Sequence, residues 1–146
     1  MKLCYIASPF FDKEGLGEKE IEIIKCVLRE VNIKFFSPKD DNKISTISSF
    51  SERQRCFERN IREIDKCDFM IANTRDKDIG TLIEIGIAYS KSKPVILFTP
   101  QLKGLSINLM LSQLAMGIAF NKDELNSRLA EFLSGRLSPE FKGAIE

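Results

Sequence analysis

Pro94-Val95-Ile96-Leu97-Phe98 is an unbroken apolar run with no polar side chain to offer to water. A strand with one wet face alternates apolar and polar residues. A run that is apolar throughout reads instead as a strand of a parallel sheet covered on both sides. Upstream, Asp68-Phe69-Met70-Ile71-Ala72-Asn73 is a similar run, and Gly80 to Ser90 between the two reads as a helix. Further back, Leu3-Cys4-Tyr5-Ile6-Ala7 reads as a first strand stopped at Pro9, and Asn32-Ile33-Lys34-Phe35-Phe36 as a second ended by Ser37-Pro38. Between them, Glu18 to Val31 carries Ile21, Ile24, Leu28 and Val31 at helical spacing. Downstream, Met116 to Phe120 reads as a fifth strand and Lys122 to Leu133 as a last helix. Alternating β and α elements with short connections predict one domain over residues 1–146. The predicted architecture is α/β, a three-layer α/β/α sandwich with a flavodoxin-like, doubly wound sheet of about five parallel strands.

Two further segments complete the chain. Ser51-x-x-Gln54 has the form of a capping box and predicts a helix through about Lys66, with Cys56, Phe57, Ile61 and Ile64 as its apolar stripe. Lys39 to Ser48 is polar and aperiodic, which predicts a loop folding over a site. On the helix, Arg53, Arg55, Arg59 and Arg62 alternate with Glu52, Glu58 and Glu63, predicting a solvated face laced by i,i+4 ion pairs.

Composition excludes several kinds of chemistry. With 146 residues and 43% hydrophobic content, the chain is long enough to bury a core of its own. Lys plus Arg is 22 against 21 for Asp plus Glu, a formal charge of +1, which argues against nucleic acid as a partner. There is no His, so catalytic triads, Cys-His dyads and His-bound zinc are excluded. The four cysteines form no C-x-x-C pair, which points to reduced thiols and to no metal site. Gly15-Leu16-Gly17 lacks the third glycine of a dinucleotide fingerprint. No apolar run approaches the roughly 20 residues that span a bilayer, and the N-terminus is too short for a signal peptide. The expectation is a cytoplasmic protein with no membrane partner.

In a doubly wound sheet, ligands bind beyond the carboxyl ends of the strands. Two segments there carry chemistry. In Asp78-Ile79-Gly80-Thr81-Leu82-Ile83-Glu84-Ile85-Gly86, the pair Thr81-x-x-Glu84 has the form of a capping box, a purely structural device. The same Glu84, held ionised in a first helical turn by the dipole, is also what attack on an anomeric carbon requires. Gly86 inside a helix costs about 1 kcal/mol and predicts close approach of a backbone or ligand. After the first strand, Phe10 and Phe11 suit stacking on a planar ligand, or one or both plug the core, and a buried Tyr5 hydroxyl needs a partner, for which a nearby carboxylate would serve.

Four motifs occur in order and in register: Tyr5-Ile6-Ala7-Ser8-Pro9-Phe10-Phe11, Asn60 leading to Cys67-Asp68-Phe69-Met70-Ile71-Ala72, Asp78-x-Gly80-Thr81-x-x-Glu84-x-Gly86-x-Ala88, and Ile107-Asn108-Leu109-Met110. Together they resemble the nucleoside 2-deoxyribosyltransferases, over most of the chain. The resemblance implies that Glu84 is the nucleophile at C1′ of a 2′-deoxynucleoside, positioned by Tyr5. Asp78 would hold a sugar hydroxyl, with Gly80 beside the substrate. Phe11 would line the base pocket, and Asn60 would stand where some members of the family carry Asp. Asn108 would reach the site of a neighbouring subunit, with Met110 packing nearby, so the resemblance implies a homo-oligomer, a dimer or a hexamer. Partners would be 2′-deoxynucleosides and free purine or pyrimidine bases, with no cofactor. The acid that protonates the leaving base is left open, with Asp40 and Asp41 as candidates, and the tail from Phe141 to Glu146 is expected near the base pocket. Two other functions fit the same fold: an N-glycoside hydrolase of nucleosides or their 5′-monophosphates, and a non-catalytic nucleotide-binding module.

Overall fold

Side chains on a strand alternate in direction, so a strand apolar at every position needs a partner layer on each face. The computed structural model, which describes residues 2–9, 14–43, 45, 48–139 and 141–146, supplies both layers. Strands β1 (Leu3–Ala7), β2 (Lys34–Phe36), β3 (Phe69–Ala72), β4 (Val95–Phe98) and β5 (Gly117–Ala119) form one sheet, every pair parallel, in the order β2-β1-β3-β4-β5. The helices are α1 (Leu16–Glu30), α2 (Pro38–Asn42), α3 (Phe50–Lys66), α4 (Ile79–Ser90), α5 (Leu109–Leu114) and α6 (Lys122–Leu133).

On one face Cys4, Ile6, Phe69, Ile71, Ile96 and Phe98 pack against Ile24 and Leu28 of α1 and Leu125 and Leu129 of α6. On the other, Tyr5, Ala7, Met70, Ala72, Val95 and Leu97 meet Ile64 of α3 and Ile85 and Ala88 of α4. Each large apolar side chain buried this way contributes roughly 1.5–3 kcal/mol. The winding reverses between β1 and β3, paired from Cys4↔Phe69 to Ala7↔Ala72. The carboxyl edge of these two strands is therefore the switch point where such sheets open a crevice.

Three local expectations are corrected. The segment from Lys39 to Ser48 is not all loop: α2 begins at Pro38, whose fixed φ suits a first helical position, and Asp41 Oδ2 accepts from the Ser37 amide at 2.9 Å. Helix α3 is capped by Ser49, which accepts from the Glu52 amide at 3.2 Å, and not by Ser51. Both serines suit a cap; only the turn of the chain decides between them. Finally, the arginines of α3 do not form the expected pairs. Arg53 Nε donates to the Ser48 carbonyl and Arg59 Nη1 to the Asp41 carbonyl, while Glu58 takes Gln54 and Glu63 takes Lys66. Among the described residues none of Arg53, Arg55, Arg59 and Arg62 forms an ion pair.

All four cysteines are free thiols. Among the described residues no helix is long and apolar enough to cross a membrane, and no cluster of side chains suits a metal ion.

Candidate active site

The link from β3 to α4 is short, strained and tied down. Asp76 and Lys77 have φ of 57° and 52°, a left-handed region that costs non-glycine residues of order 1 kcal/mol each. Three anchors hold it there. Glu20, buried on α1, accepts from Asn73 Nδ2 at 3.2 Å and pairs with Arg75. Gln101 bonds the Asp76 amide and carboxylate, both at 2.7 Å. Lys77 reaches the Glu146 carboxylate at 3.1 Å.

This link delivers Asp78 to the head of α4, where its Oδ2 accepts from the Thr81 amide at 2.9 Å and the Thr81 hydroxyl at 2.8 Å. Asp78 is therefore the cap, and the capping-box reading of Thr81-x-x-Glu84 does not hold. Glu84 is the sixth residue of the helix, beyond the reach of its orphan amides.

Its side chain instead enters the layer behind β1. Burial pushes the Glu84 carboxyl up to about 7; the Tyr5 hydroxyl opposes that by favouring the charged form, and the nearby Asp78 charge adds to it. The expectation of a carboxylate held ionised by the helix dipole is thus corrected: desolvation dominates. Tyr5 is fully buried, its ring 5.5 Å from that of Phe36. Burial first, and then the charge on Glu84, raise its pKa, so it remains a protonated donor. The two groups face each other but stop short of a hydrogen bond of normal geometry. Tyr5 Oη, Glu84 Oε2 and Ser8 Oγ are all buried and find no hydrogen-bond partner among the described residues. Unpartnered buried polar atoms are costly and rare in native proteins. Three at the carboxyl edge of β1 and on the helix behind it mark a place built for another molecule.

On the α3 side, Asn60 Oδ1 accepts from Asn42 Nδ2 at 2.7 Å, which leaves the Asn60 amide nitrogen as a donor. Cys56, one helical turn earlier, has its thiol pKa raised by burial and then by the Glu84 charge. Asp40 is paired with Lys25 on α1, and Asp41 accepts from the Ser37 amide, so both candidate acids are committed elsewhere. Phe10 and Phe11 lie outside the described residues.

Asn108 and Met110 are not brought to Glu84. Asn108 caps α5, accepting from the Met110 amide at 2.9 Å, and both line a separate cavity of about 300 Å³ with Leu82 and Gly86. Among the described residues, nothing outside the glycine's own neighbours and helix backbone lies within 4 Å of where a Cβ on Gly86 would sit, so no close approach is seen there. A Cβ on Gly80 would meet Asp78 Oδ2 at 3.4 Å, an ordinary contact. The tail runs beside Ile107, whose amide donates to the Ala144 carbonyl, and Glu146 lines the Asn108 cavity. The sequence reading gave Ser8 no place in the site and Cys56 only a place in an apolar stripe. The strand-end position of Ser8, next to Pro9, was the available signal.

Residues 4–128 match the family model described as nucleoside 2-deoxyribosyltransferase. The fold is similar to that of a 2-deoxyribosyltransferase from Bacillus psychrosaccharolyticus, with a TM-score of 0.81 and 27% identity over 95% of this chain and 99% of that one. A conserved protein from Enterococcus faecalis V583 follows at TM-score 0.72 and 18% identity, covering 90% and 99% of the two chains. The CMP N-glycosidase BcmB of Clostridium botulinum has a TM-score of 0.62 and 19% identity, covering 88% and 99%. No curated protein matches the sequence.

Proposed function

This chain belongs to the nucleoside 2-deoxyribosyltransferase family, and on that premise we propose that it moves a 2-deoxyribosyl group between nucleobases through an ester on Glu84. The observation that carries the reading is the buried Glu84 carboxylate, with one oxygen unpartnered, facing the Tyr5 hydroxyl at the switch point. The ionised Glu84 oxygen attacks C1′ as the C1′–N bond breaks, and the bond's electron pair leaves on the base nitrogen, which takes up a proton. An incoming base nitrogen then attacks C1′ and gives up its N–H proton, which replaces the one taken by the first base; the ester C–O bond breaks, and the carboxylate is restored. Two displacements give net retention and ping-pong kinetics.

Each neighbour has a part in this scheme. Negative charge on Glu84 stabilises an oxocarbenium-like transition state more than the neutral ground state. The Tyr5 hydroxyl donates to the ionised form and sets its direction. Asp78 holds a sugar hydroxyl through the oxygen not used in capping. Phe11 and the Asn60 amide hold the base. Residues close to the sugar fix C1′ against Glu84, which makes the attack effectively unimolecular.

Asn108 and Met110 complete the site from a second copy of the chain. Helix α4 supports an assembly: Ile79, Ile83 and Tyr89 are 75%, 54% and 60% exposed, leaving apolar surface on a helix already buried on its inner face. Met110 is 72% exposed on the adjoining α5.

Incubation with deoxyinosine and adenine tests the reading, and deoxyadenosine is the expected product. Release of free sugar without exchange would instead make the chain a hydrolase. No reaction across purine and pyrimidine donors would leave only the binding module.

A further inference from the structure

The arginines of α3 that lack carboxylate partners are not scattered. Arg55, Arg59 and Arg62 follow at i, i+4 and i+7, one face of the helix, and with Lys43 they line a cavity of about 350 Å³. Glu52 is the one carboxylate among its described lining residues. Like charges at this spacing destabilise an isolated helix by a few tenths of a kcal/mol per pair. Among the described residues no carboxylate offsets that: of the three, Arg59 alone makes a hydrogen bond, to the Asp41 carbonyl at 2.7 Å. A concave site with several cations focuses positive potential, and guanidinium groups match carboxylate and phosphate oxygens two at a time.

The cavity also adjoins the reacting group. The Arg59 guanidinium lies 5.2 Å from the centre of the Phe36 ring, and that ring lies 5.5 Å from the ring of Tyr5. Cys56, on the cavity wall, is close enough to Glu84 to feel its charge. Asn42 lines the cavity and donates to Asn60, the residue placed against the base. A ligand with C1′ at Glu84 and its base toward Asn60 therefore has this cluster of cations beside it.

We propose that the cavity lined by Lys43, Arg55, Arg59 and Arg62 is an anion subsite, receiving a carboxylate or phosphate carried by the base or nucleoside that reacts at Glu84. It rests on the reading above for the substrate class and adds a charge preference to it. Arg59 is held in place by Asp41 and Phe36, whereas Arg55 and Arg62 supply open guanidinium forks.

Calorimetric titration of the full chain carrying Glu84→Gln, which removes turnover, tests the subsite with two pairs of probes. Uracil against uracil-5-carboxylate reads an anion on the base. Deoxycytidine against its 5′-monophosphate reads an anion on the sugar. At least one anionic probe should bind tenfold or more tightly than its neutral partner, with the advantage shrinking as salt rises. Adding Arg55→Gln and Arg62→Gln, at exposed positions that make no described contact, should erase the advantage and leave the neutral probe unchanged. Absence of any preference in both pairs, or a preference that survives the double substitution, overturns the subsite. Base exchange by the unsubstituted chain is scored separately on neutral nucleosides. Exchange without a charge preference sinks only the subsite, and a charge preference without exchange or sugar release sinks only the enzymatic reading.

Discussion

Two glutamates turn carboxylate oxygens inward near the carboxyl edge of the central strands, and they have opposite surroundings. Glu20, on α1, is matched by Arg75 and by the amide of Asn73, so that its charge is neutralised and its oxygens are used. Glu84, on α4, faces a tyrosine hydroxyl that stops short of it and a second carboxylate, Asp78, that repels it. Glu20 holds the strained link in place and gains stability by doing so. Glu84 costs stability, and the folded chain bears that cost through the core on either side of the sheet. A buried carboxylate with partners is structural, whereas one denied partners in a crevice is poised for chemistry.

Substitutions can break or sharpen this contrast. Glu84→Ala should lower base exchange by about a thousandfold or more while leaving a folded chain, since no described hydrogen bond is lost; steady-state rates and circular dichroism read both. Glu20→Ala should have its main effect on stability, about 3–5 kcal/mol lost in urea denaturation, because the Arg75 ion pair and the Asn73 bond that anchor the link are both lost with the carboxylate.

Glu84→Gln reverses the sign. With a folded carboxyl pKa of about 7 against the ordinary 4.5, the folded state binds more protons across that window, and stability falls as pH rises through it. The amide should therefore stabilise the chain by up to about 3 kcal/mol near pH 8, and the gain should vanish toward pH 4.5. Thermal melts at several pH values check it. The same ionisation predicts a kcat/KM that rises with pH through a midpoint near 7. Tyr5→Phe removes the hydroxyl that favours the charged form. It should move that midpoint upward and lower exchange by about tenfold, with little change in stability. Gly86→Ala should have the smallest effect on the isolated chain, a gain of up to about 1 kcal/mol, since space is open where its Cβ would stand.

The fold was legible because its signal is redundant. Runs such as Val95–Phe98 and Phe69–Ala72 are apolar at every step, and the helical stripe of Ile21, Ile24 and Leu28 points the same way as they do. Local features carried by one or two residues were not. Ser49 and Ser51 are equivalent as letters, as are Asp78 and Thr81 as caps of α4, and only the path of the incoming chain selects between them. Helix α2 spans too few residues to display a period. Tyr5 and Glu84 face each other because strand β1 and helix α4 share one layer of the doubly wound fold. The sign of the Glu84 shift was not readable, since burial depends on what surrounds the side chain rather than on its place in a helix. Charge alternation on α3 suggested ion pairs, but side-chain direction sent Arg53 and Arg59 to backbone carbonyls instead.

The central claim is a bond between Glu84 and a sugar. Intact-mass spectrometry after rapid acid quench of the protein with a 2′-deoxynucleoside, followed by peptide mapping, looks for it directly. The expected result is a 2-deoxyribosyl adduct on the peptide containing Glu84, absent in Glu84→Gln and discharged by a free base. Turnover that proceeds with the adduct on another residue, or that persists in Glu84→Gln, would contradict it.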